Sequence, residues 1–147
     1  MKKLLTAPTL SAFVLILALA LGGCGRKEAP QPIAEEAPPV ITAISHTMAG
    51  NVLKIEMKIS GGSYGLGYQI DRAEIDPYCK CPGFWRRYQE QQPTKENLDK
   101  ENFSELIPLR APDVEFAFRV RAIDALGRFS EWSRVIRAKA DPEAFRN

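Results

Sequence analysis

The stretch Val114–Asp124 (VEFAFRVRAID) limits the fold more than any other part of the chain. It sets Val114, Phe116, Phe118, Val120 and Ala122 at every second position, with Glu115, Arg119 and Arg121 between them. Side chains alternate across a β-strand, so this period of two predicts a strand with one apolar and one charged face. Residues 52–59 repeat the pattern: Leu53, Ile55, Met57 and Ile59 share one face, and Lys54, Glu56 and Lys58 the other. Residues 66–75 (LGYQIDRAEI) read as a third strand with Tyr68 and Ile70 on one side. Shorter runs predict further strands at 40–44, 84–88 and 132–138, with a short apolar segment of Phe103, Leu106 and Ile107 ended by Pro108. Turn and loop chemistry falls at Ala49-Gly50-Asn51, Ser60–Gly65, Asp76–Gly83 and Ala125-Leu126-Gly127, and the polar run 89–99 reads as a surface loop. Seven short strands at roughly 8–12-residue spacing, without a helical pattern, predict an all-β, immunoglobulin-like sandwich.

The N-terminus follows a different logic. Lys2 and Lys3 precede the uncharged, mostly apolar run Leu10–Leu21, which ends at Gly22-Gly23. A basic start, a short apolar core and small residues form a secretory leader, and the run is too short to span a bilayer, which takes about 20 apolar residues. Leu21-Gly22-Gly23-Cys24 closely resembles the lipobox of bacterial lipoproteins. The resemblance implies a diacylglycerol on the Cys24 sulfur, cleavage between Gly23 and Cys24, and usually acylation of the new amino group. Two or three acyl chains, at about 0.8 kcal/mol per buried CH₂, make a stable membrane anchor. In Gram-negative members, Asp after the cysteine favours inner-membrane retention. Gly25 stands there, so the resemblance points to the periplasmic face of the outer membrane.

The expected organisation is a leader at 1–23, a Pro-, Glu- and Ala-rich tether at 24–37, a sandwich at 38–141 and a tail at 142–147. Removing the leader leaves 124 residues, enough for one core and too few for two. The whole chain carries 20 Lys and Arg against 18 Asp and Glu; loss of Lys2 and Lys3 makes the balance even. A neutral domain lacks the basic stripe that nucleic acid binding wants. His46 is the only histidine, and no catalytic arrangement can be built on it. No phosphate loop or metal-spaced cluster is present, so neither an enzyme nor a bound cofactor is expected.

Residues 116–133 (FAFRVRAIDALGRFSEWS) resemble the last hairpin of a fibronectin type III domain. Gly67-Tyr68-Gln69-Ile70 matches that family's third strand, and Pro38-Pro39 its usual start. The resemblance spans about 38–140 and implies a two-sheet sandwich. Met57 stands where the family commonly has Trp, and Phe116 where it has the corner Tyr. Ser130-Glu131-Trp132-Ser133 also resembles half of the cytokine-receptor W-S-x-W-S box. This likeness implies that Trp132 stacks on Arg119 and Arg121, as a structural staple.

With Cys24 acylated, two thiols remain. Cys79-Lys80-Cys81 fits a tight disulfide in a Pro/Gly-bounded loop, free or intermolecular thiols, a soft-metal site or a redox pair. A structural zinc needs four ligands, and thioredoxin-like pairs use C-x-x-C, so the disulfide is the expectation. Tyr78, Phe84, Trp85, Arg86, Arg87 and Tyr88 cluster beside it and are residue types common in binding hot spots. They are the candidate binding surface, together with the Gly61–Gly65 loop. The expected role is a lipid-anchored module that binds or scaffolds an envelope protein or glycan. The alternatives are a metal or redox carrier built on Cys79 and Cys81, and a passive accessory subunit of an envelope complex.

Overall fold

The structure, a computed structural model, describes residues 37–61, 65–98 and 100–145. The leader, the Leu21–Cys24 motif, the tether up to residue 36 and residues 62–64 of the Gly61–Gly65 loop lie outside the described residues. Seven strands appear in order: β1 (Val40–Ala49), β2 (Val52–Ser60), β3 (Leu66–Glu74), β4 (Arg86–Gln91), β5 (Asn102–Pro108), β6 (Glu115–Asp124) and β7 (Ile136–Lys139). They form two antiparallel sheets, β1-β2-β5 and β4-β3-β6-β7. Short 3-10 turns at Lys95–Asn97 and Pro142–Phe145 are the helical elements among the described residues. The chain is thus an all-β sandwich of seven strands.

The period-two patterns set the inner faces. Leu53, Ile55, Met57 and Ile59 of β2 are buried, as are Tyr68 and Ile70 of β3 and Phe116, Phe118, Val120 and Ala122 of β6. Phe103, Ile107 and Leu109 close the core from the β5 side, and Ile136, Ala138 and Ala140 from the β7 side.

Three predicted boundaries move. β1 continues past residue 44 to Ala49, because Ser45 to Ala49 stay paired with β2 down to a two-residue turn at Gly50-Asn51. Gly50 takes a φ of 58°, which a glycine tolerates without steric cost. The polar residues Gln89 to Gln91 belong to β4 rather than to a loop. β4 pairs only with β3 and lies at the sheet edge, where a polar sequence is compatible with a strand. The last strand begins at Ile136, because residues 129–135 are held to β6 by the Ser130 and Ser133 hydroxyls and a few isolated backbone bonds instead of a regular ladder.

A part-buried polar side-chain contact joins the two sheets. The Tyr68 hydroxyl on β3 donates to Glu105 Oε2 on β5 at 2.5 Å. Its ring meets Phe103 edge-on at 5.6 Å between centroids.

Residues 75–85, which link β3 to β4, leave the sandwich at the end opposite the entry of β1. Val40 pairs with Ser60, and Leu66, six residues further on, pairs with Asp124. Glu74, at the far end of β3, pairs with Phe116.

Two predictions test this architecture in the intact chain. Phe118→Ala should cost about 3–5 kcal/mol in urea unfolding, a large share of the roughly 5–15 kcal/mol typical of a domain. Leu106→Ala, at a position 61% exposed, should change stability by less than about 0.5 kcal/mol. Equal losses at both sites would contradict the core described here. The second prediction concerns alkaline pH. Burial first, and then the Glu105 carboxylate, push the Tyr68 hydroxyl above its ordinary value. The folded state therefore keeps a proton that the unfolded state releases above about pH 10. The stabilisation is complete below that pH and falls as pH rises further, by about 1.4 kcal/mol per pH unit. Tyr68→Phe should lose this component, so its stability between about pH 10 and 12 should fall less steeply than that of the wild type.

Candidate functional site

The connection 75–85 is a built loop. Asp76 Oδ1 accepts the backbone N–H of Tyr78 at 2.8 Å and of Cys79 at 3.0 Å. Those two donors, Cys79 first, hold the Asp76 carboxyl below its usual range. The Lys80 N–H donates to the Asp76 carbonyl, the Asp76 N–H to the Cys81 carbonyl and the Gly83 N–H to the Glu74 carbonyl. Lys80 carries the chain reversal at a φ of 56°, a conformation that costs a non-glycine residue about 1 kcal/mol. With this turn made, Cys79 and Cys81 come to a Cα separation of 5.2 Å with their sulfurs at disulfide distance. Arg137 Nη2 on β7 donates to the Lys80 carbonyl at 3.0 Å and ties the tip to the sheet.

Two large aromatics stand clear of this frame. Tyr78 is 94% exposed and Phe84 90% exposed. Aromatic side chains left in water on a hydrogen-bonded loop are the type of residue that anchors interfaces. Arg86 beside them is also exposed. The other three residues of the predicted surface are committed to internal contacts. Trp85 packs on Ala73, Ile75 and Ala117, Arg87 pairs with Asp71 at 2.7 Å, and Tyr88 meets the core ring Phe118 edge-on.

Trp85 begins a stack along the outer face of the four-stranded sheet. The Arg119 guanidinium lies 4.4 Å from the Trp85 ring and 4.1 Å from that of Trp132. Arg121 follows, 4.6 Å from Trp132 and 3.9 Å from Phe129. The order is Trp85, Arg119, Trp132, Arg121, Phe129. From beneath, side chains of β3 accept hydrogen bonds from the cations, although Arg119 Nε is buried without a partner. Asp71 accepts from Arg87 and, at 3.2 Å, from Arg119, while Gln69 Oε1 accepts from Arg121 Nε at 2.8 Å. Glu90 accepts from Gln69 and Arg87.

The spacing Ser130-x-x-Ser133 places Trp132. The Ser130 hydroxyl accepts the Ala122 N–H at 2.8 Å, and the Ser133 hydroxyl accepts the Val120 N–H at 3.0 Å. Their own N–H groups return bonds to the same two residues' carbonyls. Each hydroxyl donates in turn to the next carbonyl along the chain. The segment thus stays bonded to β6 while Trp132 folds over it. The roles of Trp85, Phe129, Asp71 and Gln69 went unread in the sequence. The available signal was the outward alternation of Gln69, Asp71 and Ala73 on β3, opposite the arginines of β6.

His46 is exposed on β1. Among the described residues no group of three His, Cys, Asp or Glu side chains converges on a metal-sized site. No described helix is long and apolar enough to cross a membrane. No protein-family model matches the chain, and no curated protein matches it.

The stack should contribute stability. Trp132 makes two cation–π contacts, each worth about 0.5–1 kcal/mol, in addition to its buried area. Trp132→Ala should therefore cost about 2–3 kcal/mol in urea unfolding of the intact chain. A loss below about 0.5 kcal/mol would show the stack to be ornamental.

Proposed function

We propose that this chain is an exported bacterial lipoprotein, held in the cell envelope by acyl chains on Cys24, whose sandwich binds or scaffolds an envelope protein or glycan. The leader and the lipobox resemblance of Leu21-Gly22-Gly23-Cys24 support the anchor. The seven-strand, two-sheet architecture is what the fibronectin type III resemblance implies. A cysteine pair at disulfide distance suits an oxidising, extracytoplasmic compartment.

The observation that carries the binding role is the exposure of Tyr78 and Phe84 on the hydrogen-bonded 75–85 loop. This loop lies at the end of the sandwich remote from where the chain enters β1.

Two measurements on protein from native membranes test the reading. Intact mass should show a chain beginning at Cys24 and carrying lipid, with the mass of two hydrogens gained on reduction of Cys79–Cys81. A photo-crosslinking residue at Phe84 should capture a discrete envelope partner, whereas one at Leu106 should not. An unlipidated chain would remove the anchor, and crosslinks that are absent, or equal at the two positions, would remove the tip as a binding surface.

A further inference from the structure

The arginines of the described residues fall into two groups. Arg87, Arg119 and Arg128 pair with carboxylates, Arg121 donates to Gln69, and Arg134 and Arg137 donate to backbone carbonyls. The guanidinium groups of Arg72, Arg86 and Arg110 make neither an ion pair nor a hydrogen bond with any described residue. These three lie together.

Arg72 occupies an inward position of β3, two residues beyond the core residue Ile70. Its guanidinium stacks 4.8 Å from the Phe116 ring and 5.0 Å from that of Tyr88. Arg86 faces it directly across the β3–β4 ladder. Opposed cross-strand residues share a face, and like charges there repel. Arg110, just beyond β5, lines a cleft of about 400 Å³ with Arg72, Tyr88, Pro108, Ala111 and Phe116. A second groove of about 280 Å³ joins at Arg72 and is lined by Glu74, Gly83, Phe84 and Arg86. Glu74 is the one acid on these walls, and it lies outside ion-pair distance of the arginines. Three cations gathered on aromatic walls without an acid partner are set up for an anion. Arginine forks match carboxylates in a bidentate geometry.

The sheet edge indicates what carries that anion. β4 is an outer strand, and among the described residues no strand lies beside the edge turned away from β3. An extended peptide added there gains backbone hydrogen bonds, and its alternate side chains reach one face. That face carries Arg72 and Arg86. We propose that this cleft binds an extended acidic segment of a partner protein, with alternate carboxylates on Arg72, Arg86 and Arg110 and the strand laid along β4. The proposal rests on the binding-module reading above and names the chemistry of the partner.

The test uses the full chain purified in neutral detergent and a fluorescent peptide of alternating Glu and Val, followed by anisotropy. Wild type should bind saturably. Arg86→Gln and Arg110→Gln should each weaken binding about tenfold, as expected for one charge-assisted pair, and Arg72→Gln by more. Arg134→Gln, a charge-matched control on another face, should stay within about twofold of wild type. Because Arg86 and Arg110 are exposed, their variants keep the test valid even if Arg72→Gln fails to fold. Absence of saturable binding, or an equal loss with Arg134→Gln, overturns the proposal. Competition by citrate or inorganic phosphate at the peptide's own affinity, or equal binding to anionic vesicles, also overturns it, as a site for small anions or lipid headgroups. Absence of peptide binding by the wild type, with Phe84 crosslinks retained, would reject the acidic partner and leave the binding module in place.

Discussion

Strand β6 has almost no face left to water, and the rest of the sandwich is arranged around that fact. Phe116, Phe118, Val120 and Ala122 fill the core between the sheets. On the opposite face, Arg119 and Arg121 would normally be solvated, since the outer face of an antiparallel sheet is usually wet. Here Trp85, Trp132 and Phe129 cover them. Covering two guanidinium groups costs less when they keep partners: Asp71 on the neighbouring strand pairs with Arg119, and Gln69 accepts from Arg121, while Arg119 Nε is buried without a hydrogen bond. β3 therefore carries polar residues that are buried, and they are explained by the arginines above them.

The same stack positions the candidate binding loop. Trp85 closes the 75–85 connection at its β4 end, and Arg137 holds its middle through the Lys80 carbonyl. The Asp76 carboxylate and the Cys79–Cys81 pair fix the turn between these supports. Tyr78 and Phe84 are thus exposed on a loop whose backbone is already hydrogen-bonded. A surface ordered before binding loses less entropy when a partner arrives.

Charge is distributed unevenly over this frame. On the outer face of the four-stranded sheet, Arg87 and Arg119 pair with Asp71 and Glu90 within one network. At the end of the core near Phe116, Arg72 lies in two adjoining grooves, one shared with Arg110 and one with Arg86, and none of the three has a paired acid among the described residues. The overall balance of acids and bases hides this contrast, because net charge carries no information on which charges are neighbours.

Periodicity and spacing determined much of the sandwich from the sequence alone. The alternation in β2 and β6 assigned their inner residues, and the glycine turns separated the strands. The short spacing of Cys79 and Cys81 in a Pro/Gly-bounded loop made their approach local, and their sulfurs lie at disulfide distance. These features depend on a few adjacent residues, so a linear reading reaches them. Only the tertiary structure decided the rest. The polar run at 89–91 became a strand because β3 lay beside it, and Ser130 and Ser133 displaced the start of β7 because their hydroxyls met the amides of β6. Trp85 left the candidate binding surface for the stack because β6 brought Arg119 beneath it. Arg72, Arg86 and Arg110 met through the register of β3 with β4 and the return of the chain after β5. Such contacts join residues far apart in the chain, and the pairing register that creates them is set by the packing of the whole core.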